Sequence, residues 1–285
     1  MDLGNLVGNT PIVKISEHLY AKLEAFNPSG SIKDRMALYI LDKAEKHGLI
    51  KKGDTIVEAS SGNTGIAFSM LGANKGYKVK IIMPCNMSEE RKQMMRLYGA
   101  DIIEVGHNAF KDAIAMRDQM SQEDNHWSPN QFSNEFNIEC HAKTTAREII
   151  KQVFIEEKKE IDAIICGAGT GGTIMGLTKT LKKINEDMKV ILVAPAESAS
   201  EHGIQGINDG ADFLVDRSIL DSEIKVPTQD AVEKARSLAK EHGLLVGISS
   251  GANILASEKW IKENNPQGAV VTFFCDRGER YMSLY

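Results

Sequence analysis

A lysine at the start of a predicted helix is the first residue of this sequence that could do chemistry. Lys33 follows a turn rich in proline, serine and glycine, within residues 27–35 (NPSGSIKDR). The dipole of a helix disfavours a cation in the first turn, so a neutral amine or a Schiff base suits this position better than an ammonium group. A lone lysine there is typical of a solvated surface, and its interpretation depends on what accompanies it.

A glycine-rich turn accompanies it at residues 60–65 (SSGNTG). This SSGNTG turn follows a predicted strand at residues 55–58 and opens an apolar helix. Glycines permit a tight turn and a close backbone approach to a ligand. The N–H groups at the start of a helix attract anions, so a carboxylate or a phosphate is the expected guest. A plain strand–helix turn with a good cap is an equally acceptable interpretation of these residues alone.

A second glycine-rich turn has the sequence GAGTGGT at residues 167–173. It also lies between a predicted strand and a helix, and its backbone amides are expected to form a phosphate cradle. Gly167, Gly169 and Gly172 also satisfy GxGxxG. Glu197 follows the next predicted strand, about where a ribose-binding acid stands in a dinucleotide site. From these residues alone, phosphate binding and dinucleotide binding both remain open.

The segments around these turns alternate between short β-branched runs and helical patterns. In residues 229–242, apolar side chains recur at helical spacing. The predicted strands are residues 55–58, 79–83, 101–105, 161–166, 190–194 and 269–275. Several of these runs are apolar on both faces, as strands of a covered parallel sheet should be. The pattern predicts an α/β architecture with mainly parallel sheets, in one large or two joined domains for 285 residues.

Composition excludes several classes of partner. The net charge is −5 without a long basic run, so neither nucleic acid nor an anionic membrane is an expected partner. The N-terminal residues lack the basic and apolar regions of a secretory leader, and a cytoplasmic location is expected. The four cysteines show no CxxC pair and are expected to be buried thiols, and the histidines form no metal pattern, so no metal site is predicted.

Taken together, the ordered motifs resemble the cysteine synthase (O-acetylserine sulfhydrylase) family and its relative cystathionine β-synthase. The resemblance spans nearly the whole chain, and several motifs in order are far more specific than any one of them. Besides the three stretches above, the matching segments are Gly8–Pro11 (GNTP), residues 87–91 (MSEER), 130–132 (NQF), 247–251 (GISSG) and 276–281.

The resemblance implies a role for particular residues. Lys33 would carry pyridoxal 5′-phosphate, and it would act as the base that removes the α-proton. The remaining cofactor-binding residues would be Asn63, Gly169, Thr170, Gly171, Gly172, Thr173 and Ser249. The substrate-binding residues would be Ser60, Ser61, Asn63, Thr64, Gln131 and Gly206.

The resemblance also implies a type of reaction. Ser249 would meet the pyridine nitrogen, and a serine hydroxyl stabilises a pyridinium less well than a carboxylate does. A weaker electron sink favours expulsion of a β-leaving group over transamination. The expected activity is β-replacement on an L-serine derivative, in which O-acetyl-L-serine and sulfide give L-cysteine and acetate.

One loop departs from the family pattern. The segment before Gly206 is short, and Asn208-Asp209-Gly210 stands where a glycine-rich stretch is usual. Asp209 could activate water or accept a hydrogen bond from the group at the β-position, which would favour an enzyme that consumes L-cysteine and releases hydrogen sulfide. A solvated turn acid is the other interpretation, because Asn-Asp-Gly is favourable turn chemistry.

The implied fold is that of the β-subunit of tryptophan synthase: two open, twisted, mainly parallel-sheet α/β domains. Residues 1–35 and 138–285 would form the large cofactor-anchoring domain, and residues 36–137 the smaller mobile domain that grips the substrate. Expected partners are a small amino acid, sulfide or a thiol, and a second copy in a homodimer. Family members also bind the C-terminal tail of serine acetyltransferase. A nicotinamide oxidoreductase and a non-catalytic scaffold remain distant alternatives.

Overall fold

The computed structural model describes residues 3–60, 62–198, 201–207 and 212–285. The strands are β1 (Ile12–Lys14), β2 (Leu19–Leu23), β3 (Thr55–Ala59), β4 (Lys78–Pro84), β5 (Asp101–Val105), β6 (His126–Trp127), β7 (Ile161–Gly167), β8 (Lys189–Pro195), β9 (Ser222–Val226) and β10 (Ala269–Phe274). The helices are α1 (Lys33–Lys46), α2 (Asn63–Lys75), α3 (Glu89–Leu97), α4 (Phe110–Met120), α5 (Phe136–Lys143), α6 (Thr145–Ile149), α7 (Gly172–Leu181), α8 (Thr228–His242) and α9 (Ile248–Asn264). A π-helical segment, Ile150–Glu156, continues α6.

The chain divides into two compact units. Unit 1 comprises Asn27–Phe136 and the N-terminal residues up to Val7, and unit 2 comprises Gly8–Phe26 and Asn137–Tyr285. The domain division expected from the sequence differs in where it places residues 1–7, 27–35 and 137. It stays a prediction, because it concerns which parts move together.

Unit 1 is built on a parallel sheet with the strand order β5-β4-β3-β6. All five residues of β3 are buried, as expected for a strand with helices against both faces. Side chains such as Ile56, Ile66 and Met36 join this strand to α2 and α1 in one apolar core. The sheet therefore fixes the carboxyl end of β3, from which the SSGNTG turn leaves.

Unit 2 is built on a sheet with the strand order β1-β2-β10-β7-β8-β9. Only the β1–β2 pair is antiparallel among these described strands. Buried residues of β7, β8 and β10 pack with α8 and α9, with Ile165, Val193 and Ile254 fully buried. The GAGTGGT turn leaves the carboxyl end of β7, which lies in the middle of this sheet.

The predicted fold class is confirmed: two open, mainly parallel sheets form an α/β fold. Each of the six predicted strands is present, with small shifts at the ends. Strands β1, β2, β6 and β9 were not predicted. Strands β1 and β6 are short and β9 is mostly exposed, whereas β2 is a buried strand that the sequence pattern did not reveal. Ser88 stands at the N-cap of α3, although its side chain makes no capping hydrogen bond.

The cysteine prediction needs correction. Cys140 and Cys166 are buried, whereas Cys275 is half-buried and Cys85 is exposed. Cys85 follows the last residue of β4 and therefore lies at the edge of the packed core.

In the described part of the chain, none of the helices combines the length and the apolar content that crossing a membrane requires.

Candidate functional site

Lys33 is the first residue of α1, as the sequence predicted. The turn before it is held by Asp34, which is fully buried and accepts a hydrogen bond from the Ser29 amide at 2.6 Å and another from the Ser29 hydroxyl. Gly30 has a φ of +88°, and its amide donates to Asn27 at 2.8 Å. This network places Lys33 at the positive end of the helix, where a neutral amine is favoured.

In the SSGNTG turn, Ser60 caps the helix that follows. Its hydroxyl oxygen accepts hydrogen bonds from the amides of Gly62 at 3.3 Å and Gly65 at 3.0 Å. Two amides that could bind an anion are therefore already engaged by this side chain. The Ser60 proton remains available for donation to another acceptor. The turn consequently presents side chains more than backbone amides.

Two predicted substrate-binding residues of unit 1 are in direct contact. The Thr64 hydroxyl donates to Gln131 Oε1 at 2.7 Å, and Gln131 Nε2 contacts the Ala59 carbonyl at 3.3 Å. Both side chains are almost fully buried. Asn63 stands beside them as the first residue of α2. A side-chain amide group beside the start of a helix suits a carboxylate ligand.

A buried ion pair that the sequence did not indicate lies behind these residues. Glu58, fully buried on β3, accepts from Arg117 of α4 at 3.1 Å, from the Ala59 amide at 2.8 Å and from the Gln131 amide at 3.1 Å. Burial raises the pKa of Glu58 above its ordinary value, and the Arg117 guanidinium and the two amides oppose that rise.

In the GAGTGGT turn of unit 2, the glycines are required by close packing. Gly171, the N-cap of α7, has a φ of +93°. A Cβ on Gly169 would lie 2.7 Å from the Gly206 carbonyl oxygen, and one on Gly172 would lie 2.0 Å from the Asn137 side-chain oxygen. The first amides of α7 have no acceptor within the helix. Backbone amides at a helix start fit a phosphate group.

Two threonines of this turn are held by a face of α5. Thr170 Oγ1 accepts a hydrogen bond from Asn137 at 2.9 Å, and Thr173 Oγ1 lies 3.2 Å from His141 Nε2. His141 Nδ1 in turn lies 2.9 Å from the Thr145 hydroxyl. The sequence motifs did not indicate these supporting residues. Their spacing of four residues, which puts them on one helical face, is the signal that could have found them.

Two further predicted residues of unit 2 are Ser249, at the start of α9, and Gly206, in a loop. Ser249 is the second residue of α9 and is only 5% exposed. Gly206, with a φ of +93°, packs through its carbonyl against Gly169. The structure thus brings a predicted substrate-binding residue against the turn predicted to bind phosphate.

Glu197 does not act as the dinucleotide interpretation requires. Its carboxylate accepts from the Thr228 amide at 2.8 Å and the Thr228 hydroxyl at 3.1 Å, at the start of α8. These hydrogen bonds lower the pKa of Glu197. The residue therefore serves α8, and the acidic partner expected of GxGxxG is engaged elsewhere.

The GNTP motif has a structural role in unit 2. The buried Lys22 ammonium donates to the Thr10 carbonyl and pairs with Glu148 at 2.7 Å. Glu148 also accepts from the Asn9 amide at 2.9 Å, and the Thr10 hydroxyl donates to Glu24 at 2.8 Å. The motif is therefore anchored to β2 and α6 by buried charges.

Two predicted site residues, Ser61 and Asp209, lie outside the described residues.

Comparison with known proteins agrees with the resemblance seen in the sequence. The family model described as pyridoxal-phosphate dependent enzyme matches residues 3–276. A cysteine synthase of Staphylococcus aureus is 41% identical over 300 residues, covering 99% of this chain and 95% of that protein.

Solved structures give the same family. A hydrogen sulfide-producing enzyme of Fusobacterium nucleatum has a TM-score of 0.93 at 39% identity, covering 99% of this chain and 89% of that one. An O-ureido-L-serine synthase has a TM-score of 0.91 at 34% identity, covering 99% and 93%. The predicted family, the enzymatic nature of the chain and the cofactor class are thereby confirmed.

Proposed function

The chain belongs to the family of pyridoxal-phosphate dependent enzymes, and we propose that it is a cysteine synthase, converting O-acetyl-L-serine and sulfide to L-cysteine and acetate. The observation that carries this proposal is the contact of Thr64 with Gln131 beside the start of α2. This arrangement suits the carboxylate of a small amino acid, which every version of the reaction must hold.

In this proposal, residues of unit 2 hold the cofactor's phosphate and ring. The amides from Gly169 to Thr173 and the hydroxyls of Thr170 and Thr173 bind the phosphate. Asn137 and His141 orient those hydroxyls, because each contacts one of them. Ser249 meets the pyridine nitrogen with a neutral hydroxyl. When bound, pyridoxal phosphate supplies an electron sink that acidifies the α-proton of an amino acid.

In unit 1, Lys33 carries the cofactor and later acts on the substrate. Its place at the start of α1 disfavours the ammonium form, so its amine can accept the α-proton. Asp34 and Ser29 keep the preceding turn fixed during this proton transfer. Asn63 is assigned to the cofactor and the substrate, and Ser60, Ser61, Thr64, Gln131 and Gly206 to the substrate.

The test is product identification with the purified, cofactor-loaded enzyme. We expect O-acetyl-L-serine and sulfide to give L-cysteine and acetate in equal amounts. We expect the Lys33→Ala variant to lose about 10²–10⁴-fold in rate, the usual range for a general base. A borohydride-reduced enzyme should carry the pyridoxyl group at Lys33, as mass spectrometry of peptides would show. Turnover of Lys33→Ala at the unaltered rate would refute the role of Lys33.

A second candidate function is consumption of L-cysteine with release of hydrogen sulfide. The specific observation in its favour is the similarity to the Fusobacterium enzyme, whose name describes that product. Asp209 would assist water or nucleophile addition in this case. Incubation with L-cysteine alone distinguishes the candidates: sustained sulfide release that Asp209→Asn slows would favour the second. A homodimer, a cytoplasmic location and binding of the serine acetyltransferase tail remain predictions.

A further inference from the structure

Three backbone or side-chain donors from separate parts of unit 1 converge on one buried carboxylate. Glu58 Oε1 accepts from the Ala59 amide and from Arg117, and Oε2 accepts from the Gln131 amide at 3.1 Å. The donors belong to the end of β3, to α4 and to the segment after β6. Both partners of the ion pair are almost completely inaccessible, with Arg117 only 2% exposed.

Stability alone does not explain such a pair. A buried ion pair loses in desolvation about as much as it gains in attraction, and an apolar pair of similar volume is often as stable. What an apolar pair could not do is accept the Gln131 amide. The Glu58 carboxylate therefore does what an apolar side chain cannot: it fixes the position of the segment that carries Gln131.

Gln131 is held at both its backbone and its side chain. Its amide is fixed by Glu58, its side-chain amide contacts the Ala59 carbonyl, and its side-chain oxygen accepts from Thr64. With the side-chain oxygen occupied by Thr64, the orientation of the amide group is set. Thr64 and Gln131 are both assigned to the substrate carboxylate. The distance between their side chains thus depends on the hold of Glu58 on the Gln131 backbone.

We propose that Glu58, with Arg117 as its counter-ion, is a positioning residue that fixes Gln131 beside Thr64 for recognition of the amino-acid carboxylate. This inference rests on the proposed function, because it concerns the same substrate group. Glu58 does not touch the substrate in this proposal, and its removal should weaken amino-acid binding without loss of the cofactor.

The test compares a variant in which the Glu58–Arg117 pair is replaced by neutral side chains with a control variant at another carboxylate that pairs with Arg117. A single Glu58→Gln change would strand a buried Arg117, which risks unfolding, so the test variant is Glu58→Gln/Arg117→Met. Glutamine can accept through one oxygen only, and its NH₂ group would oppose one of the two backbone amides. The control is Asp118→Asn, because Asp118 pairs with Arg117 at 2.8 Å from an exposed position.

Two measurements on the holoenzymes decide the question. We expect the apparent Kd for O-acetyl-L-serine, from the change in cofactor absorbance, to rise about ten-fold or more in the double variant. We also expect faster hydrogen exchange at the Gln131 amide, with equal cofactor content in both variants. Asp118→Asn should match the unaltered enzyme in each respect.

An affinity or a Gln131 exchange rate in the folded double variant equal to that of Asp118→Asn would overturn the proposal. Failure of the proposed function would look different, because the unaltered enzyme would then not bind O-acetyl-L-serine. The hydrogen-exchange comparison needs no substrate, so it reports on the hold of Glu58 over Gln131 in either case.

Discussion

The two glycine-rich turns resemble each other in sequence, yet different kinds of atoms crowd their glycines. In the SSGNTG turn the neighbours are side-chain atoms of Arg91, Met95 and Ile81. A Cβ on Gly62 would lie 3.3 Å from Arg91, and one on Gly65 would lie 3.0 Å from Met95. The Arg91 side chain can shift by a few tenths of an ångström, so Gly62 is a tolerant position, whereas Gly65 also meets the β-branched Ile81 at 3.1 Å.

In the GAGTGGT turn the neighbours include backbone that cannot move aside. A Cβ on Gly169 would lie 2.7 Å from the Gly206 carbonyl oxygen, and one on Gly171 would lie 2.9 Å from the Val215 nitrogen. Gly171 also has a φ of +93°, which side chains rarely adopt. Here glycine is needed at each of these positions.

The amides of the two turns also differ in their use. Ser60 accepts from two amides of its own turn, at 3.3 and 3.0 Å. Thr170, in the comparable role, reaches only the Gly172 amide, at a long 3.5 Å. The first turn therefore offers side-chain groups to a ligand, and the second offers backbone. A count of glycines does not reveal this difference, whereas the residue that caps each helix does.

The largest effect is expected from Gly171→Ala, which should abolish the second turn as a phosphate site. The methyl group would meet Val215 and force a strained backbone, so the affinity for pyridoxal phosphate should fall about 100-fold or more. Cofactor absorbance after dialysis measures this. The matched control is Gly243→Ala, which has a φ of +68° but open space around it. Equal cofactor retention in the two variants would contradict the comparison.

A smaller effect is expected from Ser60→Ala in the first turn. Removal of a capping side chain typically lowers the free energy of unfolding by about 1 kcal/mol. The apparent Kd for the amino acid should rise, while cofactor content stays the same. Thermal unfolding and spectral titration check both. Ser69→Ala is the control in the same helix, because its hydroxyl donates to Gly65 at 2.6 Å without capping α2. Loss of cofactor from Ser60→Ala would show that the turns do not divide their tasks.

Gly62→Ala should have a smaller effect still. Its φ of −172° lies outside the left-handed region that favours glycine, and the nearest obstacle is the Arg91 side chain. We expect a loss of about 1 kcal/mol or less in the free energy of unfolding and retention of the cofactor. A loss of cofactor as large as that expected for Gly171→Ala would contradict this prediction. It would mean that the Arg91 side chain is as rigid as the backbone around the second turn.

The sequence predicted the parts of this site that depend on local order. Lys33 opens α1, Gly172 opens α7, and both glycine-rich turns follow buried strands. These features follow from short-range patterns of apolar residues, glycines and helix starts. The fold class follows from the same alternation, because parallel strands need crossover helices.

The rest depends on contacts between distant residues. Gln131 meets Glu58 across 73 positions of the chain, and Arg117 meets it across 59. No local pattern marks a glutamate in a strand as the partner of an amide so far away. The sequence also did not indicate that Ser60, which it assigned to the substrate, caps α2, and the substrate assignment itself stays a prediction.

The smallest effect concerns Glu197, the residue that made the second turn look like a dinucleotide site. Its pKa is lowered by hydrogen bonds from Thr228 and by the nearby His202, so it favours the folded state while ionised. A carboxyl group with a lowered pKa contributes stability above its unfolded pKa, and this contribution is lost as the pH falls through the folded value. We therefore expect Glu197→Gln to lower the free energy of unfolding by about 0.5 kcal/mol at neutral pH. The difference should shrink on acidification, as urea unfolding at a series of pH values would show.

Measurement in a His202→Gln background separates the histidine's own titration. Cofactor content should not change, because Glu197 caps α8 and the second turn binds its ligand through backbone amides. A difference that grows on acidification would contradict the role of the ionised carboxylate, and binding of NAD that Glu197→Gln abolishes would restore the dinucleotide interpretation of the turn.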